Sequence, residues 1–443
     1  MSARKTTRRQ FLKGAAATAA GSLALPLFVP ATALGRDDKK AAPSDRIVLG
    51  VIGTGGRGRS LIKSFGKEKD VQIVQICDVD KKHRDMGVEE VNKLYENKDC
   101  KATGDFREVI ANKDLNAVIV ATPDHWHALA SIAAAKAGKD IYCEKPLTNS
   151  VGEGRALCKA VADMKVVLQC GSMERSGDNI RYVAELVKKG RLGKLHTVRI
   201  SLPCNEGHHK SARALKDVPA PMPVPEGFDY EFWLGHTPKV PYTEKRCHFG
   251  GGANPGWRFI LTYGGGEMTD RGAHVIDLAQ LCMETDNTGP VEIEAKGDRN
   301  KDSLYDVFWD VEFTNVYGNG VKMIGDYKEP RGLKLEGSDG WIFVHVHGQK
   351  LEASDAKILD DKGTKAVNPL PPHIRNFLDC VKSRKQPSAS AEVGHRTASI
   401  CHVNNIAMLL GKKLKWDPKT EKFDKDDEAN KLLMPTMREP WRL

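Results

Sequence analysis

Four stretches of this sequence carry residue types at spacings that could do chemistry. The first is GTGGRG, in which Gly53, Gly55 and Gly58 fit G-x-G-x-x-G and follow directly on the apolar run RIVLGVIG (46–53). At a strand-to-helix turn the first such glycine makes the tight turn and the second lets a pyrophosphate approach the backbone. The third lets helix pack on strand, and the helix N-terminus faces the phosphates. The second stretch is VQIVQICD (71–78), which ends in Asp78, 20 residues past Gly58. A carboxylate there can accept both hydroxyls of an adenosine ribose and would repel a 2′-phosphate, so NAD is favoured over NADP. The third is CEKP, where Pro146 fixes the turn and aims the Lys145 ammonium, beside Glu144, into the crevice at the strand ends. The fourth is YGGGEMTDRGAHVIDLAQ (263–280), which puts Asp270, His274 and Asp277 at i, i+4 and i+7 on one helix face. A His and an Asp one turn apart can meet a substrate hydroxyl together, one taking its proton while the other orients it. The same spacing also suits structure alone, with Asp270 favouring the helix N-terminus and Asp277 a packing partner.

Such residues need a frame. The runs at 46–53, 71–78, 116–123 (NAVIVATP), 139–146 (KDIYCEKP) and 165–171 (KVVLQCG) are continuously apolar, as strands buried on both faces are. Helical patterns such as HWHALASIAAAKAGK separate them. This alternation predicts an α/β fold whose N-terminal domain, 46–171, is a Rossmann-type, doubly wound parallel sheet. ATPDHWH, after the fourth strand, would then pass beside the nicotinamide half of a bound dinucleotide. From 172 to 415 the texture changes to clean alternation, as in YDVFWDVEF, where Tyr305, Val307, Trp309, Val311 and Phe313 face one way. That predicts a C-terminal α+β domain with an open, mainly antiparallel sheet, closed by HIRNFLDCVKS and GHRTASICHVNNIAMLLG, with 416–443 as a tail. A long Pro-rich loop, 203–257, carries His208, His209, His236, His248 and several aromatics.

The front of the chain reads differently. TTRRQFLKG has paired arginines, an apolar run to Val29 and then Ala31-Thr32-Ala33, the pattern of a twin-arginine export signal over 1–33 followed by a polar linker, 34–45. The expected location is the periplasm, reached through the twin-arginine export machinery. The signal's basic residues account for half of the formal charge of +10, and the remainder is interspersed acid and base, which gives nucleic-acid binding no support. The ten cysteines form no C-x-x-C pair and no metal is expected. His208-His209 is a conceivable metal half-site, but adjacent side chains usually point apart.

Taken together, GVIGTGGRG, ICDVD, VATPDHWH, CEKPL and GGGEMTDRGAHVIDLA resemble the Gfo/Idh/MocA family of nicotinamide-dependent oxidoreductases, over residues 46 to about 415. The resemblance implies that Lys145 is the family's catalytic lysine and that Asp270 and His274 are its acid/base pair. It implies cofactor binding by Gly53, Gly55, Arg57, Gly58, Asp78, Thr122, His127, Glu144 and Lys145. It further implies homo-oligomers, dimers or tetramers, packed through the open sheet face, which the apolar positions of 305–313 would suit. The expected activity is oxidation of a hydroxyl on a sugar, sugar acid or cyclitol, with tightly held NAD recycled in place. The alternative is a redox-neutral NAD-dependent glycoside hydrolase or lyase working through a transient keto-sugar. The long loop leaves the substrate open; Tyr230, Phe232, Trp233 and Trp257 could stack on a sugar or pack in a core.

Overall fold

Short, mainly apolar runs, with Lys101 opening the edge strand and Asp140 an inner one, become the strands of the first sheet. These are β1 (Ile47–Ile52), β2 (Val71–Cys77), β3 (Lys101–Thr103), β4 (Ala117–Val120), β5 (Asp140–Cys143) and β6 (Leu168–Cys170), all parallel, in the order β3-β2-β1-β4-β5-β6. The chain reverses direction across the sheet between β1 and β4, the point at which such sheets open a crevice at their carboxyl ends. This computed structural model describes residues 42–248, 255–328, 330–346, 350–360 and 371–443. The stretch expected to be an export signal and most of the expected linker therefore lie outside the described residues, and Ile47–Leu443 is one compact unit.

Helices His127–Lys136 and Val151–Met164 cover one face of the sheet. Gly56–Phe65 and Lys81–Tyr95 cover the other, joined there by His373–Ser383. That last helix differs from expectation. Instead of closing the second domain it packs on the first, because Phe377 meets Tyr142 and Phe65 edge-on at ring separations of 5.8 and 6.1 Å.

The second sheet has nine strands in the order β13-β12-β11-β7-β10-β9-β8-β14-β15. In chain order they are β7 (Leu195–Ser201), β8 (Pro290–Asp298), β9 (Trp309–Tyr317), β10 (Lys322–Asp326), β11 (Gly332–Gly337), β12 (Gly340–His345), β13 (Leu351–Ala353), β14 (Leu414–Asp417) and β15 (Lys422–Phe423). Only the β7–β10 pairing is parallel among those described. One face buries Val198, Ile200, Val311 and Phe313 under the helices Asp178–Lys188 and Gly272–Cys282. The apolar stripe of β9 is thus covered within the chain, so it provides no argument for an oligomer. The opposite face carries charged pairs such as Arg199–Glu336 at 3.0 Å and Lys296–Glu312 at 2.7 Å. Tyr305 and Val307 precede the strand rather than belong to it and pack under the long loop. The stretch 416–443, expected to be a tail, is folded: Trp416 and Phe423 pack against the long helix Ala391–Leu410. Among the described residues no helix is long and apolar enough to cross a membrane.

Candidate active site

The glycine turn has the geometry its spacing requires. Gly53 has φ +87°, and a Cβ there would stand 2.6 Å from the Ala121 carbonyl oxygen. A Cβ on Gly58 would lie 2.0 Å from the Gly53 oxygen, so helix Gly56–Phe65 can close on β1 only as glycine. Gly55 faces open space, with no atom within 4 Å of a Cβ position, and it caps the helix without a side-chain hydrogen bond. Backbone donors at the start of that helix are therefore available to an anion. Asp78 is fixed in orientation by two backbone amides, its Oδ2 accepting from Thr54 at 2.7 Å and its Oδ1 from Asp80 at 3.0 Å. Burial pushes the Asp78 carboxyl up, and those two amides pull it back. Thr122 Oγ1 is buried and without a hydrogen-bond partner among the described residues, an oxygen that a bound ligand would satisfy. An open cradle at Gly55, a set carboxylate at Asp78 and this orphaned hydroxyl fit a dinucleotide.

Arg57 and Glu144 join the two sides of the crevice, Arg57 Nε donating to Glu144 Oε1 at 2.8 Å. His127 lines the same cleft. Its Nδ1 lies 2.7 Å from the Pro146 carbonyl and its Nε2 3.0 Å from the Thr122 carbonyl, so it braces the loop after β4 against the loop after β5. Burial takes its pKa down to about 4, which keeps the ring neutral while it does so.

Lys145 extends from the end of β5 and donates from Nζ to Asp270 Oδ1 at 2.6 Å and to the Asp270 carbonyl at 2.8 Å. The helix that carries Asp270 is broken: a turn, Glu267–Asp270, is followed at Arg271 by the helix Gly272–Cys282. Asp270 and His274 both line the cleft with Lys145. Asp277 does not. It is buried on Arg175, whose Nε and Nη2 each reach its carboxylate at 2.9 Å. Burial works to raise the Asp270 carboxyl, but Lys145 and Arg258 hold it far below the usual carboxylate range. Asp270 is therefore held as an anion between two cations, where it sets the position of Lys145.

Two cleft residues escaped the sequence reading. Arg258 Nε stands 3.9 Å from Asp270 Oδ1, a second cation on the same carboxylate. Asp124, in the loop after β4, is 6% exposed and lines the cleft. Burial raises its pKa well above the usual range, against the pull of Lys145 and Arg258. Gly264 leaves it room, since a Cβ there would lie 3.4 Å from Asp124 Oδ2. The signal was present in VATPDHWH: a carboxylate directly after the strand-end proline, in the loop expected beside the nicotinamide.

The loop histidines have protein partners. His209 Nε2 is 3.1 Å from Glu267, His248 Nε2 2.9 Å from Asp80, and His236 Nε2 3.6 Å from Glu153. Arg271 stands 3.3 Å from both His208 and His209, where a cation already occupies the half-site position. Among the described residues no group of three or more His, Cys, Asp or Glu could hold a metal ion. Tyr230 and Trp233 stack on one another in a buried cluster, and Trp233 reaches the cleft wall together with Phe232 and Trp257. The cleft as a whole measures about 700 Å³, within the range of small-molecule and cofactor sites.

Comparison with known proteins agrees with this geometry. Residues 47–172 match the family model described as "Oxidoreductase family, NAD-binding Rossmann fold". Residues 176–443 match "Oxidoreductase family, C-terminal alpha/beta domain" of the same Gfo/Idh/MocA family. An alpha-N-acetylgalactosaminidase of Shewanella oneidensis is 31% identical over 209 residues, 42% of this chain and 44% of that protein. A levoglucosan dehydrogenase of Pseudarthrobacter phenanthrenivorans is 36% identical over 98 residues, 22% of this chain and 25% of that one. The chain thus spans less than half the length of these curated relatives. The solved structure of a levoglucosan dehydrogenase in complex with NADH superposes with a TM-score of 0.59 at 18% identity, over 84% of this chain and 99% of that one, which shows the shared fold. The chain belongs to the Gfo/Idh/MocA oxidoreductase family, and its N-terminal domain is an NAD-binding Rossmann domain.

Proposed function

We propose that this member of the family oxidises a hydroxyl of a sugar, sugar acid or cyclitol and keeps its NAD, which is recycled in place. The observation that carries the proposal is the Lys145–Asp270 pair, set at 2.6 Å over the crevice with His274 on the same wall. When bound, NAD supplies the hydride acceptor. The chain's own residues do the rest. Lys145 Nζ donates a hydrogen bond to the substrate oxygen and stabilises negative charge as it develops there. Asp270, ionised throughout, keeps that ammonium placed. His274 takes the hydroxyl proton. Asp78 receives the ribose hydroxyls, and the backbone at Gly55 receives the pyrophosphate.

A second reading, a redox-neutral glycoside hydrolase or lyase working through a transient keto-sugar, is favoured by Asp124. Elimination of an aglycone needs an acid in the cleft, and Asp124 is a cleft carboxyl whose pKa burial raises. The relative of Shewanella oneidensis supports the same reading.

Export is part of the proposal. The paired Arg8 and Arg9 would send a folded protein to the periplasm, where nicotinamide nucleotides are not supplied, which explains why a cofactor should be kept. We also propose a homo-oligomer built on the open face of the second sheet. The deciding experiment starts from protein purified from the periplasm without added nucleotide, desalted and then denatured, and measures the released nucleotide. Near-stoichiometric NAD(H) is expected, followed, without added NAD, by turnover of aryl glycosides or of sugar pairs in which one sugar is oxidised and a second is reduced, which returns NADH to NAD. Ketose or aldonate product indicates the first reading; free aglycone with no net NADH indicates the second. An empty protein that does not bind NAD sinks both.

A further inference from the structure

The long loop of the second domain returns to the first at several places: Trp233 meets His125 and Trp126, His236 meets Glu153, and a further contact lies at the adenosine end of the cleft. Gly227, with φ +80°, brings its carbonyl to the Lys81 amide at 2.8 Å, and the Asp229 amide donates to the Val79 carbonyl at 3.0 Å. Phe228 and Asp80 form an antiparallel bridge between these bonds. The turn so engaged, 79–81, follows directly on Asp78, the residue set to take the adenosine ribose. Further along the loop, His248 Nε2 meets Asp80 Oδ2 at 2.9 Å, so the same turn is gripped twice. Between the two grips, Phe228 and Tyr242 are buried against each other at a ring separation of 5.9 Å, and the His248 ring lies 5.0 Å from Phe228. Phe228, Phe232, Trp233 and His248 line the same cleft as Gly55 and Asp78.

The outer side of this strap is fastened as well. Trp441, near the C-terminus, stacks on Phe232 at 5.3 Å and meets Trp126 edge-on at 4.9 Å. The Arg438 amide donates to the His236 carbonyl at 2.8 Å and Arg438 Nε to the Thr237 carbonyl at 2.9 Å. A loop that only connected two elements would need none of these attachments. An open Rossmann edge lets a dinucleotide slide out along the adenosine; here that route passes beneath residues pinned from both ends.

We propose that residues 225–248 form a strap over the adenosine half of bound NAD, latched by His248 on Asp80, and that this latch makes NAD a resident group rather than an exchanging co-substrate. The inference rests on NAD binding in this cleft and goes beyond it by naming the residues that control its departure. His248 and Asp80 are positioning residues: they act on the nucleotide through the strap.

The test is exchange of bound NAD in the full-length holoprotein. Protein loaded with NAD is mixed with excess fluorescent etheno-NAD, and the half-time of replacement is followed alongside the nucleotide content after desalting. Wild-type protein should retain near-stoichiometric NAD through desalting and exchange over hours. His248→Ala and Asp80→Ala should each speed exchange at least tenfold, and the double variant no more than the faster single one, because both break one contact. His248→Gln, which keeps bulk and polarity at a half-exposed position, serves if His248→Ala does not fold. Exchange within seconds in the wild type, or an unchanged rate in Asp80→Ala, overturns the strap while leaving NAD binding intact. Protein that binds neither NAD nor etheno-NAD overturns the NAD reading itself.

Discussion

Two aspartates seven positions apart, Asp270 and Asp277, each hold a basic side chain from a distant part of the chain, and they do opposite work. Asp277 meets Arg175 in the core, with side-chain exposures of 1% and 3%. The guanidinium spends its remaining donors on Asp286 at 2.8 Å, and Thr397 adds a bond to Asp277 at 3.1 Å, so nothing is left to offer a ligand. Asp270 meets Lys145 at the cleft, with exposures of 23% and 16%. A lysine ammonium is a point charge with donors that can be redirected, whereas a guanidinium in a two-pronged pair is committed to one geometry. Accessible and under-committed marks the pair proposed to do chemistry; buried and saturated marks the structural one.

The comparison predicts opposite outcomes for removing the two cations. Lys145→Met should lower kcat/KM by about 10³–10⁴-fold on any substrate the screen finds, while the urea midpoint stays close to that of the wild type. Activity within tenfold of wild type would make Lys145 another structural cation and erase the distinction. Arg175→Met should do the reverse. Leaving Asp277 charged and unpaired in the core costs about 3–5 kcal/mol, read from urea unfolding, and the folded fraction should still bind NAD. The double change Arg175→Met with Asp277→Leu should restore much of that stability, because the penalty is the stranded charge rather than the lost attraction.

What could be read from the sequence follows the same division. The glycine turn was legible because each demand on Gly53 and Gly58 is local: a positive φ and a backbone approach that leave no room for a Cβ. Asp78, Lys145 and the Asp270–His274 spacing were legible because a strand end or a helical turn places them. Partners contributed from far away were not legible. The motif could not show that Asp270 would be met by Lys145, 125 residues earlier, or joined by Arg258. Nor could it show that the break at Arg271 would turn Asp277 out of the cleft lining. His373–Ser383 has a helical pattern that says nothing about which domain its Phe377 will meet. The nine-stranded sheet was legible as alternation, but its cover was not, since the helices over β9 come from residues 178–188 and 272–282.

Asp270→Asn sharpens the distinction further. It keeps the shape of the partner but removes its charge, and kcat should fall by about 10²-fold while KM moves less. The low-pH limb of the rate profile should stay where it is in the wild type, because a carboxyl held far below the usual range is already ionised across that limb. A limb that disappears with Asp270 would instead make it a proton carrier and return the acid/base role to the Asp–His pair.

The smallest effect expected comes from a third pair that shows the division outside the cleft. Asp70, just before β2, is held by Arg375 at 2.7 Å, and by Lys382, from the helix His373–Ser383. Burial pushes its carboxyl up, but these two cations outweigh it and bring the pKa from 3.8 down to about 2. A carboxyl whose pKa is lower in the folded chain stabilises the fold at pH above its unfolded value. That contribution disappears as the pH falls through about 2. Urea midpoints should therefore be level above about pH 5 and decline between about 4 and about 2. Arg375→Gln should lower the plateau by about 1 kcal/mol, as expected for a partly exposed pair, and flatten the decline without changing kcat. A change in kcat would mean that the docking of this helix on the Rossmann sheet is felt at the cleft, and that the structural pairs are less separate from the working one than Asp277 suggests.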